Sequence, residues 1–142
     1  MAAVGAAAHM ATPPPLAGYT RLSAELGGGG ATSLVYRERC EATQEVVAVK
    51  YMLRDPENFV ANKRELRNHA LAVHPHIAGV RTALLTPEHV ILVTEICNGG
   101  DVLDWLNAQP GRRISEAVLR AVTAQVLSVR ATVVPSQPAC TC

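Results

Sequence analysis

Glu25 to Lys50 reads ELGGGGATSLVYRERCEATQEVVAVK, and the fold of the whole chain turns on it. Four consecutive glycines, Gly27 to Gly30, lead into an apolar run that closes on Val35-Tyr36. A polar turn follows, and a second apolar run, Val46-Val47-Ala48-Val49, ends on a lysine, Lys50. Without a Cβ, glycine lets the backbone approach a bulky anion, and successive free N–H groups can cradle phosphate oxygens. A lysine on the adjacent strand adds the positive charge that the glycines lack. The stretch therefore describes a phosphate clamp on a β-hairpin. Taken alone, the glycines have a second reading as a flexible linker, and the choice between the two rests on residues outside the loop.

Working outward, Met1 to Gly18 is a low-complexity tail in which Pro13-Pro14-Pro15 favours an extended, unpaired backbone. Tyr19 to Leu26 is expected as a first strand and Ser33 to Arg39 as its return partner. Glu45 to Leu53 is the next strand. Its two-residue period puts Val47 and Val49 on one face, with Val46, Ala48 and Lys50 on the other. Asp55-Pro56-Glu57 is a helix start, with a capping aspartate, a proline for the first helical position and an acid at the positive end of the dipole. The helix is expected to run to about Val73, where His74-Pro75 stops it. Phe59, Lys63, Leu66, Ala70 and Val73 lie close to one stripe, and Glu65 lies beside it.

Ile77 to Leu85 and His89 to Glu95 read as an antiparallel pair around Thr86-Pro87-Glu88. The second is too continuously apolar for a surface strand and is expected inside the sheet. Asp101 can cap a short helix that carries Leu103 and Leu106 and ends at Pro110-Gly111. Ser115 caps a last helix, Glu116 to about Val129. Five strands with one helix after the third, then two helices, make an α+β arrangement. The domain is expected over residues 19–130, between a disordered tail at 1–18 and an irregular one at 131–142.

Composition narrows the function classes. A chain of 142 residues holds one domain or one lobe of a larger one. The formal net charge of +1, with no long basic run, argues against nucleic acid or an anionic membrane as the main partner. No apolar segment reaches the length of a membrane span. Cys40, Cys97, Cys140 and Cys142 form no CxxC pair, which reads as reduced intracellular thiols. No secretory signal opens the chain, so a cytoplasmic location is expected, with the nucleus as a second compartment. His69, His74, His76 and His89 lack carboxylate or thiolate companions at ligand spacing, and no metal site is expected.

In this order and with these residues, the chain resembles the N-terminal lobe of a eukaryotic protein kinase: a five-stranded antiparallel sheet with the family's C helix, then a hinge, a D helix and a partial E helix. The family's G-x-G-x-x-G-x-V loop corresponds to Gly28, Gly29, Gly30, Ala31, Thr32, Ser33, Leu34 and Val35. Ser33 replaces the third glycine, and Gly27 stands where an apolar residue usually ends the first strand. V-A-I-K is met by Val47-Ala48-Val49-Lys50. The resemblance implies ATP as ligand, with Lys50 on its α- and β-phosphates and Glu65 holding that lysine. Thr94 would be the gatekeeper beside the adenine, and Val35 and Ala48 would cover the base. The backbone of Glu95 and Cys97 would bond the adenine edge. Asp101, besides its cap reading, would reach the ribose. Arg64-Glu65-Leu66-Arg67-Asn68-His69, His74-Pro75-His76-Ile77 and Leu85-Thr86-Pro87-Glu88-His89 further resemble the plant-type, osmotic-stress-activated serine/threonine kinases of the sucrose-non-fermenting-related group.

Phosphotransfer also needs a carboxylate for the attacking hydroxyl and positioned Mg2+, which in a complete kinase come from the H-R-D and D-F-G segments. Neither motif occurs here, and the only aspartates, Asp55, Asp101 and Asp104, stand in neither context. No catalytic residue is therefore assigned. The expectation is a serine/threonine kinase family member, truncated before the catalytic loop and inactive as this chain. The alternative is a non-catalytic nucleotide-binding or protein-interaction module. The protein substrate or regulatory partner is not legible.

Overall fold

The hairpin implied by the opening stretch is present as β2 (Ser33–Cys40) and β3 (Val46–Leu53) in a computed structural model that describes residues 11–23, 26 and 32–133, with side chains to residue 130. With β1 (Tyr19–Arg21), β4 (Val80–Leu85) and β5 (His89–Glu95) it forms a sheet of order β1-β2-β3-β5-β4, every pairing antiparallel. The apolar run of β5 lies between β3 and β4, inside the sheet as its composition requires. The first strand is shorter than expected, although the Leu22 and Leu26 N–H groups continue the pairing with the carbonyls of Arg37 and Val35.

The alternation of β2 and β3 separates two clusters. Leu34, Tyr36, Val47, Val49, Tyr51, Ile91 and Val93 are buried together. Met52, Val90 and Leu92 form a second cluster, against which Leu66 and Val80 pack. Val49 and Val93 are fully enclosed, and burying such a side chain contributes about 1.5–3 kcal/mol.

Two units make up the chain: residues 1–70 with 80–96, and residues 71–79 with 97–142. The first holds the sheet and nearly all of α1 (Phe59–Leu71). This helix begins later and ends earlier than the sequence suggests. Asp55 Oδ1 accepts the Asn58 N–H at 2.7 Å, and both its oxygens accept the Asn58 amide, so residues 56–58 form a turn ahead of the helix. The expected apolar stripe is only partly covered: Leu66 packs against the sheet, Phe59 and Val73 are exposed, and the one buried residue of α1 is Asn62. A polar hydrogen bond, described below, occupies the position that a core side chain would take.

Residues 11–18 of the tail are held more firmly than their composition implies. Pro13 is buried, its carbonyl accepts Arg21 Nη1 at 2.8 Å, and the Leu16 N–H donates to Glu38 at 3.2 Å. Backbone that was expected to stay unpaired is drawn in by a buried carboxylate and its arginine.

In the second unit, Asp101 caps α2 (Val102–Asn107) and a 3-10 turn at Pro110–Arg112 follows. The turn needs Gly111, whose φ is +67°. In α3 (Glu116–Val133), Ser115 Oγ accepts the Val118 N–H at 3.4 Å. The helix passes the expected end at Val129, since no breaker precedes Pro135. Leu119, Val126 and Leu127 on it are exposed. Among the described residues, no helix is long and apolar enough to cross a membrane.

Candidate functional site

Antiparallel register sets four of the expected site residues side by side. Val35 lies opposite Lys50 and Ala48 opposite Thr94, and directly opposed residues share a face of the sheet. The cluster of Met52, Val90 and Leu92 marks the same face, where Leu66 of α1 packs. One residue before Leu66, Glu65 reaches the strand: Lys50 Nζ donates to its Oε1 at 2.5 Å.

The two side chains of this pair are 28% and 43% exposed. Such a pair contributes only about 0–1 kcal/mol to stability, so its value lies in orientation. A lysine ammonium has three N–H donors. Glu65 takes one, which leaves two for another anion. A fixed cation with spare donors, beside a half-covered apolar sheet face, suits a ligand that is flat at one end and anionic at the other.

A second hydrogen bond links α1 to the sheet, from the buried Asn62. Its Nδ2 donates to the carbonyl of Leu53, the last residue of β3, at 2.7 Å. Residue-type reasoning missed it because an asparagine in a helix reads as solvent-facing. The available signal was its place one turn before Glu65, on the same helix face.

The expected residues further separate into four groups. Thr94 Oγ1 donates to the Glu95 carbonyl at 3.1 Å, and the Glu95 carboxylate pairs with Arg81 at 3.3 Å. Thr32 and Ser33 lie at the start of β2, where the Thr32 carbonyl accepts the Leu53 N–H at 3.0 Å and Ser33 is buried. Gly28, Gly29, Gly30 and Ala31 lie outside the described residues, as does Gly27. Cys97 and Asp101 belong to the second unit. Cys97 is an exposed free thiol, and Asp101 Oδ1 accepts the Asp104 N–H at 2.7 Å, in the cap role.

Among the described residues no cluster of His, Cys, Asp or Glu could hold a metal ion. Asp55 is committed to Asn58, whose side-chain and backbone hydrogen bonds hold its carboxyl below the usual aspartate value.

The opposite face carries a polar network that the sequence reading also missed. Glu38 is fully enclosed, and its Oε1 accepts Arg21 Nε at 3.1 Å, Arg21 Nη2 at 2.8 Å and the Tyr51 hydroxyl at 2.9 Å. The Arg21 guanidinium lies 3.6 Å from the centre of the Tyr36 ring. Burial, and then the bond to Glu38, push the Tyr51 hydroxyl well above its ordinary pKa. The legible sign was the two-residue step from Leu34 and Tyr36 to Glu38, which places a carboxylate on the apolar face.

Residues 21–132 match the protein kinase domain. The chain belongs to this family. The kinase domain is similar to CBL-interacting protein kinase 4 of Oryza sativa subsp. japonica, 34% identical over 118 residues, which are 80% of this chain and 26% of that protein. It is likewise similar to serine/threonine-protein kinase SRK2I of Arabidopsis thaliana, 33% identical over 102 residues, 71% of this chain and 27% of that protein. These plant relatives agree with the subgroup resemblance read from residues 64–69, 74–77 and 85–89. Among solved structures, Rad53 residues 1–466 in complex with AMP-PNP superposes with a TM-score of 0.66 at 22% identity, covering 78% of this chain and 29% of that one. That likeness supports the kinase-like fold. The chain spans about a quarter of the length of these plant relatives.

Proposed function

We propose that this kinase domain binds ATP on the sheet face that carries Val35, Ala48, Lys50 and Thr94. The observation that supports it most is the Lys50–Glu65 ion pair at 2.5 Å, which holds an ammonium with two remaining donors toward the α- and β-phosphates. Val35 and Ala48 cover the base, Thr94 stands beside it, and the backbone of Glu95 bonds its edge. By the family resemblance, Gly28, Gly29, Gly30, Ala31, Thr32 and Ser33 would be the phosphate loop, and Cys97 and Asp101 would serve the adenine edge and the ribose. In a complete protein of this family, ATP would supply a phosphoryl group to a serine or threonine hydroxyl.

The reading stops at binding for these 142 residues. Lys50 and Glu65 orient phosphates but neither accept the hydroxyl proton nor hold a metal, and the H-R-D and D-F-G segments do not occur in the sequence. The proposal is thus a nucleotide-binding lobe of a serine/threonine kinase that transfers no phosphate as this chain. Thermal-shift titration with ATP tests it. Wild type should gain stability with rising nucleotide, by about 2.7 kcal/mol at a hundred times the dissociation constant, and Lys50→Met should gain almost none. Equal shifts in both proteins would remove Lys50 from the site. Phosphate transfer to a generic protein substrate that depends on Lys50 would overturn the inactive part of the reading.

A further inference from the structure

Lys50 and Glu65 stand on different elements, a strand and a helix, and both are part-exposed. An ion pair in that setting is weak and screened by salt, so it does not determine where α1 lies. Leu66 adds an apolar contact with the Met52, Val90 and Leu92 cluster. Hydrophobic contact is non-directional and tolerates rotation of the helix. A third tie has direction. Asn62 is the one buried residue of α1, and its amide donates to the Leu53 carbonyl at 2.7 Å.

Its position is informative on both sides of the bond. Asn62 precedes Glu65 by three residues, so the two side chains project from the same helix face. Leu53 follows Lys50 by three residues on β3. Leu53 also gives its N–H to the Thr32 carbonyl at 3.0 Å. One residue, Leu53, thus meets the helix through its carbonyl and Thr32, just beyond the glycine-rich segment, through its N–H. A buried amide is accommodated only where it is hydrogen-bonded, and an apolar side chain of the same size would fill the space without fixing an angle.

We propose that Asn62 is a positioning residue of this site: by bonding the Leu53 carbonyl it sets the rotation of α1 at which Glu65 meets Lys50. The consequence for nucleotide rests on the ATP reading above, whereas the hold on the Lys50–Glu65 pair stands without it.

The test reads the pair directly. Lys50 and Lys63 are the two lysines of the chain, and Lys63 is exposed, so pulse acylation with mass spectrometry gives Lys50 reactivity with an internal reference. The variants are Asn62→Leu, which keeps the bulk and removes the donor, and Glu65→Gln, which removes the ionic partner. The expected result is that Asn62→Leu, folded by circular dichroism, raises the Lys50:Lys63 labelling ratio to the Glu65→Gln level. The rise should be up to about fivefold, the factor that a surface ion pair allows. A merely structural asparagine would lower the melting temperature and leave the ratio unchanged, and that result overturns the proposal. Should Asn62→Leu not fold, Asn62→Ser, too short to reach Leu53, carries the same comparison. Failure of the ATP reading would appear separately, as a wild-type protein that ATP does not stabilise while the labelling difference persists.

Discussion

Arg21 and Glu38 share the same hydrogen bonds, yet removing either one should have unequal consequences. The Glu38 side chain is 0% exposed and that of Arg21 is 16% exposed. Breaking a buried ion pair by deleting one partner costs about 3–5 kcal/mol, chiefly because the survivor is left uncompensated. In Glu38→Leu the survivor is the guanidinium, which keeps the Pro13 carbonyl at 2.8 Å and the Tyr36 ring face at 3.6 Å. It also has some access to water, so the loss belongs at the low end, about 3 kcal/mol. In Arg21→Leu the survivor is a carboxylate sealed from solvent, with the Tyr51 hydroxyl and the Leu16 N–H as its remaining donors among the described residues. That loss belongs at the high end, about 5 kcal/mol, a large share of a domain's ordinary 5–15 kcal/mol. The double variant Arg21→Leu/Glu38→Leu leaves neither charge behind, and it should be more stable than Arg21→Leu alone. Urea unfolding of the four proteins at pH 7, followed by far-ultraviolet circular dichroism, gives the order. If Arg21→Leu proves equal to or milder than Glu38→Leu, or if the double variant loses the sum of the two, the argument from burial is wrong.

Two further outcomes concern pH. Because the Tyr51 hydroxyl is pushed up by burial and by Glu38, the folded protein keeps its proton after the unfolded chain has lost it near pH 10. Stability from this group is complete below that pH and declines as pH rises, by up to about 1.4 kcal/mol per unit. Tyr51→Phe should lack this decline, and urea midpoints from pH 8 to 11 that run parallel in the two proteins would contradict the account. Asp55 behaves in the opposite sense, since its carboxyl is held low by Asn58. Its contribution is present above the ordinary aspartate value of about 4 and is lost as pH falls through the lowered one. The difference in melting temperature between wild type and Asp55→Ala should therefore be open at pH 7 and closed at a pH below that lowered value. A gap that survives at that acidity would mean that the Asp55 charge is not what holds the turn.

The strands were legible because one physical rule, the two-residue alternation, fixes both their faces and their neighbours. Val47 and Val49 fell on one side and Ala48 and Lys50 on the other, as the burial of β3 shows. The continuous apolar run from Val90 to Val93 could be placed inside the sheet on composition alone. Helix α1 was harder. Its stripe of Phe59, Lys63, Leu66, Ala70 and Val73 follows a helical period, but period records only which residues share a side. It does not record how that side is held, and here the apolar contact of Leu66 is joined by a buried amide, Asn62, that the stripe omits. The Arg21–Glu38 pair escaped for a related reason. Residue-type preference places charges outside, and only the contact between two strands and the tail shows what compensates them. The meeting of Lys50 with Glu65 spans fifteen residues and a change of element. It was legible through resemblance to a family and through no local pattern.

The sheet ends in ways that limit how this unit can associate. Strand β1, at one edge, is three residues long, and the residues just ahead of it include Pro13, Pro14 and Pro15, which have no N–H to offer. Strand β4, at the other, breaks register between Val80 and Thr82. Short, bulged or proline-flanked edges are poor templates for another chain's backbone. Polymerisation by strand addition is thereby discouraged at both margins. A partner that recruits this unit must recognise side chains on its faces, where a change of one residue can tune the choice, rather than the peptide groups that all proteins share.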